Sequence, residues 1–446
     1  MIAFPIHVAD TYDVAVIGAG IAGLASSVFL QKAGLRVVCV DSRAYPHHKV
    51  GESLDWSSPN MLQRVGIPRE ALIDDEIATY KKGIMICEPG KEDWDVKPPP
   101  SIQRSPFRFE VLTLHVDRAA LDQRLYEEAL ALGTTFVWDR VTDVECEDDR
   151  VRGCLTATGR RVTARHYIDA SGTALVFARA MNIPTEEYGR TKVCLWTYFK
   201  TPPLQGGTTF FLDSRDDYLN WIWDIPISPT ETSIGLVAAA DVIKSQRRAG
   251  RSPKNILATE LSRHGRFDGL LAEQPDFEVK TTSFRPYVTT RVAGPNWFMA
   301  GESASMPDPL TGNGLTSGIR HAQWATDEIR AAGSAAEIAP LRSRHYSRHV
   351  LRLGRSFNAH MESAIYRHPM RWAFGMPNAT LIYTSFAFFM NALYTRFDPR
   401  GPLGMAAFDA LFLISRMWIA GWSMLARVVL WFRSPPPARQ GIPASS

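Results

Sequence analysis

The sequence has few cysteines and almost no net charge. Its 446 residues include five cysteines, and none of them stands in a Cys-x-x-Cys pair or beside a histidine cluster. Scattered cysteines in odd number are typical of reduced thiols, so the pattern argues against a disulfide framework and predicts no metal site. The formal net charge is only +4, and the basic residues are dispersed, which argues against a nucleic-acid partner.

The N-terminus lacks the basic segment and the longer apolar run of a signal peptide. Internal repeats and low-complexity tracts are absent as well, and 45% of the residues are hydrophobic. This composition is typical of a globular chain that buries a large core. We therefore expect a cytoplasmic protein of about two or three structural units.

A glycine-rich turn lies between two apolar runs near the N-terminus. Tyr12–Ile17 leads into Gly18-Ala19-Gly20-Ile21-Ala22-Gly23, and the second apolar run ends at Asp41. In such a turn Gly18 allows the tight bend, Gly20 lets the backbone approach a pyrophosphate, and Gly23 lets the helix pack closely on the sheet. The helix N-terminus favours phosphate, and Asp41 stands where an acid hydrogen-bonds a ribose hydroxyl. The unit predicts a dinucleotide site without deciding between FAD and NAD.

Two later segments narrow the choice of nucleotide. One apolar strand ends at Asp169, and another, Trp297–Met299, ends just before Gly301 and Glu302. A glycine-rich segment, Gly312-Asn313-Gly314-Leu315, then precedes a helix predicted from about Thr316. This set resembles the flavoprotein class that includes aromatic hydroxylases, flavin-dependent halogenases and geranylgeranyl reductases.

The resemblance to this class implies a non-covalent FAD and assigns residues to it. Glu302, where the class usually has aspartate, is implied to contact the ribityl chain, with Asp169 and Gly301 at the cofactor as well. The helix after Gly312–Leu315 is implied to direct its dipole at the flavin pyrimidine ring, where negative charge accumulates on reduction. Arg118 matches an arginine that reaches the cofactor; the alternative is a solvated charge on a helix face.

Three further motifs are typical of one branch of this class. They are Gly51-Glu52-Ser53, the K-x-G sequence Lys81-Lys82-Gly83, and the W-x-W-x-I-P sequence Trp221-Ile222-Trp223-Asp224-Ile225-Pro226. Together they resemble the flavin-dependent halogenases, over roughly residues 12–330. Two tryptophans and a proline at fixed spacing seldom coincide, so the last motif carries most of the resemblance.

The halogenase resemblance implies a two-component enzyme. FAD would arrive reduced from a separate flavin reductase, because the sequence has no second dinucleotide motif, and a halide ion would be oxidised to hypohalous acid. Lys81 is implied to be the catalytic residue that holds this oxidant beside the substrate, since a desolvated lysine is readily deprotonated. Glu52 and Ser53 are implied to bind the cofactor. The wall between flavin and substrate is implied to comprise Trp221, Trp223 and Pro226.

Other interpretations fit parts of the same pattern. Lys81-Lys82 is also typical of an exposed strand edge, and Trp221 and Trp223 share one face of a strand, as core aromatics do. Gly312-Asn313-Gly314 is closer to hydroxylases and reductases than to the serine-containing halogenase loop whose backbone amides hold the halide. The alternatives are therefore an aromatic hydroxylase, a reductase or desaturase of prenyl or acyl chains, and a non-catalytic flavoprotein.

The motifs divide the chain into three predicted parts. Residues 1–189 and 286–335 form a discontinuous, Rossmann-type FAD-binding domain of the α/β class. Residues 190–285 contain strand-like runs between Pro, Gly and Asp clusters, which predicts an inserted antiparallel substrate sheet. Residues 336–446 are predicted to be helical.

Two uncharged stretches mark the C-terminal region. Trp372–Thr395 contains no charged residue, and Met417–Ala426 is uncharged between Arg416 and Arg427. These segments are predicted to cover the substrate cavity or to form a dimer contact, with a peripheral membrane or lipid-chain surface as the alternative. The substrate implied by the resemblance is a small electron-rich aromatic, phenol- or pyrrole-like, that is free or attached to a carrier protein or a lipid-like chain.

Overall fold

The computed structural model describes residues 12–44, 50–55, 57–87, 94–96, 101–102, 109–110, 113–201, 207–213, 218–367 and 402–433. The chain divides into two compact units. One comprises Met1–Asp213 and Asn220–Ala359, and the other comprises Ser214–Leu219 and His360–Ser446. The uncharged stretch Trp372–Thr395 lies outside the described residues.

The strands of the described residues follow one another along the chain as β1 (Tyr12–Ile17), β2 (Val37–Asp41), β3 (Ala78–Lys81), β4 (Ile84–Cys87), β5 (Trp94–Val96), β6 (Ser101–Ile102), β7 (Phe109–Glu110), β8 (Thr113–Val116), β9 (Thr135–Trp138), β10 (Val141–Glu147), β11 (Arg150–Thr156), β12 (Arg161–Val162), β13 (Ala164–Asp169), β14 (Thr185–Glu187), β15 (Lys192–Phe199), β16 (Thr208–Asp213), β17 (Asn220–Pro226), β18 (Thr232–Ala239), β19 (Lys280–Phe284), β20 (Tyr287–Thr289), β21 (Trp297–Met299) and β22 (Ser305–Met306).

The α-helices of the same residues are α1 (Ile21–Lys32), α2 (Ser58–Arg64), α3 (Arg69–Asp74), α4 (Arg118–Ala131), α5 (Val176–Ala180), α6 (Ala240–Arg248), α7 (Pro253–Ser262), α8 (Asp268–Glu273), α9 (Gly314–Ala332), α10 (Pro340–His360) and α11 (Pro402–Arg433).

A five-stranded sheet forms the centre of the first unit. Its order is β21-β13-β1-β2-β9, and each neighbouring pair is parallel. Val14, Val16 and Val38 are fully buried, as expected for a parallel sheet that is covered on both faces. Helix α1 leaves the carboxyl end of β1 through the glycine turn and packs against α4 and α9. This arrangement confirms the predicted α/β fold with a Rossmann-type unit.

A seven-stranded sheet accompanies it, in the order β19-β15-β18-β17-β16-β4-β5. The pairs are antiparallel except for β4 and β16, so the expected inserted sheet is present. It also draws on Ile84–Cys87, which precedes the predicted segment 190–285, while helices α6 to α8 interrupt that segment. These helices pack on one face of the sheet, where Phe211, Ile222, Leu257 and Phe267 belong to one buried cluster.

The second unit is helical where it is described. A single turn of π-helix, Met361–Tyr366, follows α10, and α11 extends over Pro402–Arg433. Tyr218 stacks on Tyr366, and its hydroxyl donates to Glu362 Oε2 at 2.7 Å. Within the described part of the chain, no helix combines the length and the hydropathy needed to cross a bilayer.

Candidate active site

The glycine turn after β1 has the close contacts that its sequence predicts. Gly18 has a φ of +102°, and a Cβ there would lie 2.4 Å from Ala170 O. A Cβ on Gly23 would lie 1.8 Å from Gly18 O, so only glycine lets α1 pack this closely on the turn. The turn is therefore built without side chains in the region where a pyrophosphate would approach the backbone.

The surroundings of this turn fit the adenosine half of a dinucleotide. Gly20 is the N-cap of α1 and supplies no side chain that would occupy the first N–H groups of the helix, which leaves them for phosphate oxygens. Asp41 ends β2, and its Oδ2 accepts a hydrogen bond from Ala19 N at 2.6 Å while Oδ1 accepts one from Arg43 N at 3.0 Å. These bonds fix the carboxylate beside the turn, where a ribose hydroxyl would meet it.

The segment after β21 lies against the same helix. Gly301 has a φ of +67°, and a Cβ there would lie 2.7 Å from the Cβ of Ala22 in α1. Gly301 N donates to His321 Nδ1 at 3.2 Å; burial lowers the pKa of His321 to about 3, which keeps that nitrogen unprotonated and able to accept. Glu302 is exposed and follows directly, so its side chain is accessible to a cofactor placed along α1.

Arg118 is held within the protein. Its guanidinium pairs with Asp122 at 3.1 and 3.2 Å and donates from Nη1 to Val50 O at 3.0 Å. The side chain is only 12% exposed, so it is not the solvated helix-face charge of the alternative interpretation. Glu52 and Glu302 lie within electrostatic range of it. Arg118 thus brings a positive charge to the two predicted cofactor segments.

Asp169 has its carboxylate occupied by the chain itself. Oδ1 accepts from Ser171 N at 2.9 Å and Oδ2 from Phe177 N at 2.8 Å. The residue is fully buried, and this burial raises the pKa of the carboxyl group. These bonds shape the turn after β13, which faces Gly18; direct contact of Asp169 with the cofactor stays a prediction.

Glu52 joins two motifs that are far apart in sequence. Its Oε1 accepts from the hydroxyls of Tyr198 at 2.9 Å and Ser233 at 3.4 Å, and its Oε2 from Gly51 N at 2.9 Å. Ser233 Oγ in turn accepts from Trp223 Nε1 at 3.1 Å. The Gly-Glu-Ser segment and the tryptophan motif therefore share one hydrogen-bonded network, although neither sequence contains the linking hydroxyls.

The two tryptophans and Pro226 do not share a face of β17. Successive strand residues alternate between faces, so Trp221 and Trp223 point to the side of Glu52, while Pro226 points to the opposite side. Pro226 O accepts from Thr79 Oγ1 at 3.1 Å, which fastens the end of β17 to β3. The wall made by Trp221 and Trp223 stays a prediction, and the Pro226 ring lies on the face opposite to them.

Lys81 ends β3, and its side-chain nitrogen is directed at the Gly-Glu-Ser segment. Nζ donates to Ser53 Oγ at 2.9 Å and to Leu54 O at 3.4 Å. Burial lowers the pKa of this lysine to about 8, against the opposing effect of Asp55. Lys82, the neighbouring residue, is exposed. The structure thus distinguishes the two lysines: only Lys81 lies at the Gly-Glu-Ser segment.

The glycine-rich loop before α9 reaches the same point. Gly312 has a φ of +67°, and a Cβ there would lie 2.3 Å from Ser53 O. Among the described residues, the buried atoms Thr311 Oγ1 and Asn313 Oδ1 have no hydrogen-bond partner, as expected for groups that await a ligand. Helix α9 begins at Gly314, two residues before the predicted Thr316. The loop from Gly312 to Leu315 therefore lies beside Ser53, whose hydroxyl is hydrogen-bonded to Lys81.

Two anchors fix this loop. Lys192 Nζ pairs with Asp308 Oδ2 at 3.1 Å, and both side chains are buried; Asp308 Oδ1 accepts from Leu310 N. Asp55 Oδ1 accepts from Thr316 Oγ1 at 2.6 Å at the start of α9. The loop is therefore tied to the seven-stranded sheet on one side and to Asp55, two residues after the Gly-Glu-Ser segment, on the other.

Several residues of this site carry no sequence signal of their own. They are contributed by separate strands and loops, namely His115, Lys192, Tyr198, Thr208, Ser233 and Asp308. Ser233 pairs with Ile225 and so lies on the same face as Trp223, which strand alternation predicts once the pairing of β17 with β18 is known. For the others the contacts are non-local, and spacing along the chain does not contain them.

Comparison with known proteins agrees with these features. A family model described as an FAD binding domain matches residues 11–337. A 1H-pyrrole-2-carbonyl-[peptidyl-carrier protein] brominase of Pseudoalteromonas luteoviolacea is 23% identical over 338 residues, which cover 72% of this chain and 78% of that protein. A menaquinone reductase of Mycolicibacterium smegmatis is 25% identical over 348 residues, with 75% and 81% covered.

The fold is also similar to that of solved structures. One is the halogenase PltM in complex with phloroglucinol and FAD, with a TM-score of 0.67 and 17% sequence identity. The match covers 95% of this chain and 92% of that one. At this identity the likeness bears on the fold alone.

Proposed function

Since the chain belongs to the FAD binding domain family of flavoproteins, we propose that it is a flavin-dependent halogenase of an electron-rich aromatic ring. As a member of this family it is an FAD-dependent oxidoreductase, which confirms the predicted cofactor. The proposal concerns what the flavin is used for. The observation that carries it is the convergence of Lys81, Ser53 and the Gly312 loop on one point.

The residues around the proposed cofactor site have distinct tasks. The turn at Gly18 and Gly20, with Asp41, would hold the adenosine diphosphate, and Arg118 would offset its negative charge. The segment at Glu302 and the start of α9 would hold the flavin end. When bound and reduced, FAD supplies with O₂ the two-electron oxidation of a halide ion to hypohalous acid.

Lys81 would then carry the halogen to the substrate. A free amine at Nζ attacks the halogen of hypohalous acid, so that an N–X bond forms and water leaves. The aromatic ring takes the halogen as an electrophile and loses a proton, and the N–H bond forms again. Trp221 and Trp223, on the side of Glu52, would keep the ring at the lysine and away from direct oxygenation.

The substrate and the electron donor belong to the same proposal. A phenol- or pyrrole-like ring suits electrophilic halogenation, and the brominase relative acts on a carrier-bound pyrrole by its name, so a carrier-linked ring is the first substrate to test. Reduced FAD is proposed to come from a separate flavin reductase, because the chain contains one dinucleotide turn. A cytoplasmic location is part of this proposal as well.

One experiment separates halogenation from its alternatives. The full chain is supplied with chemically reduced FAD, O₂, bromide and a panel of phenols, pyrroles and pyrrolyl carrier proteins, and the products are analysed by mass spectrometry. A brominated ring supports the proposal. A hydroxylated ring would assign the chain to the hydroxylases. Reduction of a prenyl quinone under anaerobic conditions would favour the reductase interpretation, which the menaquinone reductase relative makes the second candidate.

We also propose that helix α11 contacts an anionic membrane surface. Large apolar residues are exposed along it at helical spacing, among them Met417 at 67%, Met424 at 70% and Trp431 at 72%. Arg427 in the same helix is exposed, and a cationic side chain beside apolar ones complements an anionic lipid surface. We expect α11 to bind phosphatidylglycerol vesicles and Trp431→Glu to weaken binding; no binding, with a dimer in solution, would favour the dimer contact.

A further inference from the structure

A chain of hydroxyl groups leads from Lys81 into the protein. Lys81 Nζ lies 2.9 Å from Ser53 Oγ, Ser53 Oγ lies 3.0 Å from Thr208 Oγ1, and Thr208 Oγ1 lies 2.8 Å from His115 Nε2. Thr208 and His115 are fully buried. Four groups from four separate segments are therefore joined by short contacts. Lys81 is the one of these four that can carry a charge near neutral pH.

The far end of this chain fixes its direction. His115 Nδ1 is buried and has no hydrogen-bond partner among the described residues. A buried donor without an acceptor is rarer in proteins than a buried acceptor without a donor. The favoured tautomer therefore places the proton on Nε2, and His115 donates to Thr208. The pKa of His115 is held well below its usual range by burial and by nearby Lys81, so the imidazole stays neutral.

The direction continues through the hydroxyls. Because Thr208 Oγ1 accepts from His115, its own proton is free to be donated to Ser53 Oγ. Ser53 can then donate its proton to Lys81, but only if Nζ has a lone pair. In the charged lysine the contact runs the other way, from the ammonium to Ser53 Oγ, and the Ser53 proton loses this acceptor. In this arrangement both hydroxyl protons have an acceptor within the chain only when Lys81 is neutral.

We propose that His115, acting through Thr208 and Ser53, is a positioning residue that holds Lys81 as the free amine. The inference rests on the proposed function, since the free amine is the form that attacks hypohalous acid. Among the described residues, the other titratable group whose charge acts on Lys81 is Asp55, which favours the ammonium. Glu52, on the same segment, directs its carboxylate to Gly51 N, Tyr198 and Ser233.

Titration of the Lys81 amine tests this proposed role of His115 without any halogenation. The full chain is methylated with formaldehyde and a borane reductant from about pH 6 to about pH 10, because only the free amine reacts. Peptide fragmentation then reports the pH midpoint of labelling for Lys81 and, in the same peptide, for exposed Lys82 as the internal control. Thr208→Val removes the hydroxyl and keeps the shape, whereas Thr208→Ser keeps the hydroxyl.

We expect Thr208→Val to raise the Lys81 midpoint by about one pH unit, the size of one hydrogen bond. Thr208→Ser should keep the wild-type midpoint, and Lys82 should be unchanged in both variants. His115→Phe should also raise the Lys81 midpoint. If His115→Phe does not fold, the comparison of Thr208→Val with Thr208→Ser tests the proposal. An unchanged or lowered midpoint in Thr208→Val would overturn the inference. A shifted midpoint in a protein that makes no halogenated product would refute the proposed function alone.

Discussion

One face of the seven-stranded sheet packs against helices α6 to α8, and the other lies against the Gly-Glu-Ser segment. The first, the core face, presents Phe199, Phe211, Ile222 and Leu236. The second, the site face, presents Tyr198, Thr208, Trp223 and Ser233, whose polar atoms bond to Glu52, Ser53 or one another. The same strands thus serve stability on one side and chemistry on the other.

Asp224 is a buried acid on the core face. It lies between the two tryptophan-motif residues Trp223 and Ile225 but points with Ile222 to the helices. It is 2% exposed, and its Oδ2 has no hydrogen-bond partner among the described residues. Burial raises the pKa of this carboxyl to about 7, only partly offset by Arg266. Glu52 is hydrogen-bonded to Tyr198 and Ser233 on the site face, whereas the Asp224 carboxyl on the core face costs stability when it is ionised.

The largest effect on stability is expected from the core face. Phe267 is 1% exposed and packs against Phe211 with ring centroids 5.0 Å apart. Phe267→Ala should lower the free energy of unfolding by about 3–5 kcal/mol, because a buried aromatic leaves a cavity. Denaturant unfolding measures this change in the free energy of unfolding. Product formation per folded molecule should not change; a loss of activity in the folded fraction would mean that the two faces are not independent.

A smaller loss is expected where the site face is most crowded. A Cβ on Gly235 would lie 2.3 Å from the Trp223 ring and 2.6 Å from Trp196 Cβ. Gly235→Ala should therefore lower the free energy of unfolding by about 1–3 kcal/mol through overpacking. Unlike Phe267→Ala, Gly235→Ala should also displace Trp223 and lower the rate of product formation. Full activity together with unchanged stability would show that Trp223 can move away without consequence.

A gain is expected from Asp224→Asn. The folded pKa of about 7 lies above the value of an unfolded aspartate, so the folded state binds the proton more tightly. Wild-type stability should therefore fall as the pH rises from about 4 to about 7. Asp224→Asn should remove this fall and stabilise the protein at about pH 8 by about 1–2 kcal/mol. Thermal unfolding of both proteins across this pH range measures it, and parallel curves would contradict the assignment.

Local sequence patterns predicted the elements of the fold better than the contacts of the site. The turn at Gly18 and the alternating strands are encoded over a few residues each, so they could be predicted. The partners of Lys81 could not, because Ser53, His115 and Thr208 come from segments that meet only when the sheets have formed. Helices α6 to α8 were missed for a related reason: their apolar residues meet the core face of the sheet and form no long periodic run.

Two predicted residues show what a motif leaves open. Pro226 belongs to the tryptophan motif, yet strand alternation places its ring on the face opposite to Trp223. Asp169 ends an apolar strand as a cofactor-binding acid would, yet both of its oxygens accept backbone N–H groups. A motif identifies the element, whereas the direction and the hydrogen bonds of each side chain are decided by packing.

The most direct measurement of the central claim compares Lys81→Met with Lys82→Met. Both variants are given reduced FAD, O₂, bromide and the substrate, and FAD binding, flavin reoxidation and brominated product are quantified. FAD binding and reoxidation should match the wild type in both, since the glycine turn is untouched. Bromination should fall by about a hundredfold or more in Lys81→Met and stay near the wild-type rate in Lys82→Met. Undiminished bromination in Lys81→Met would contradict the account.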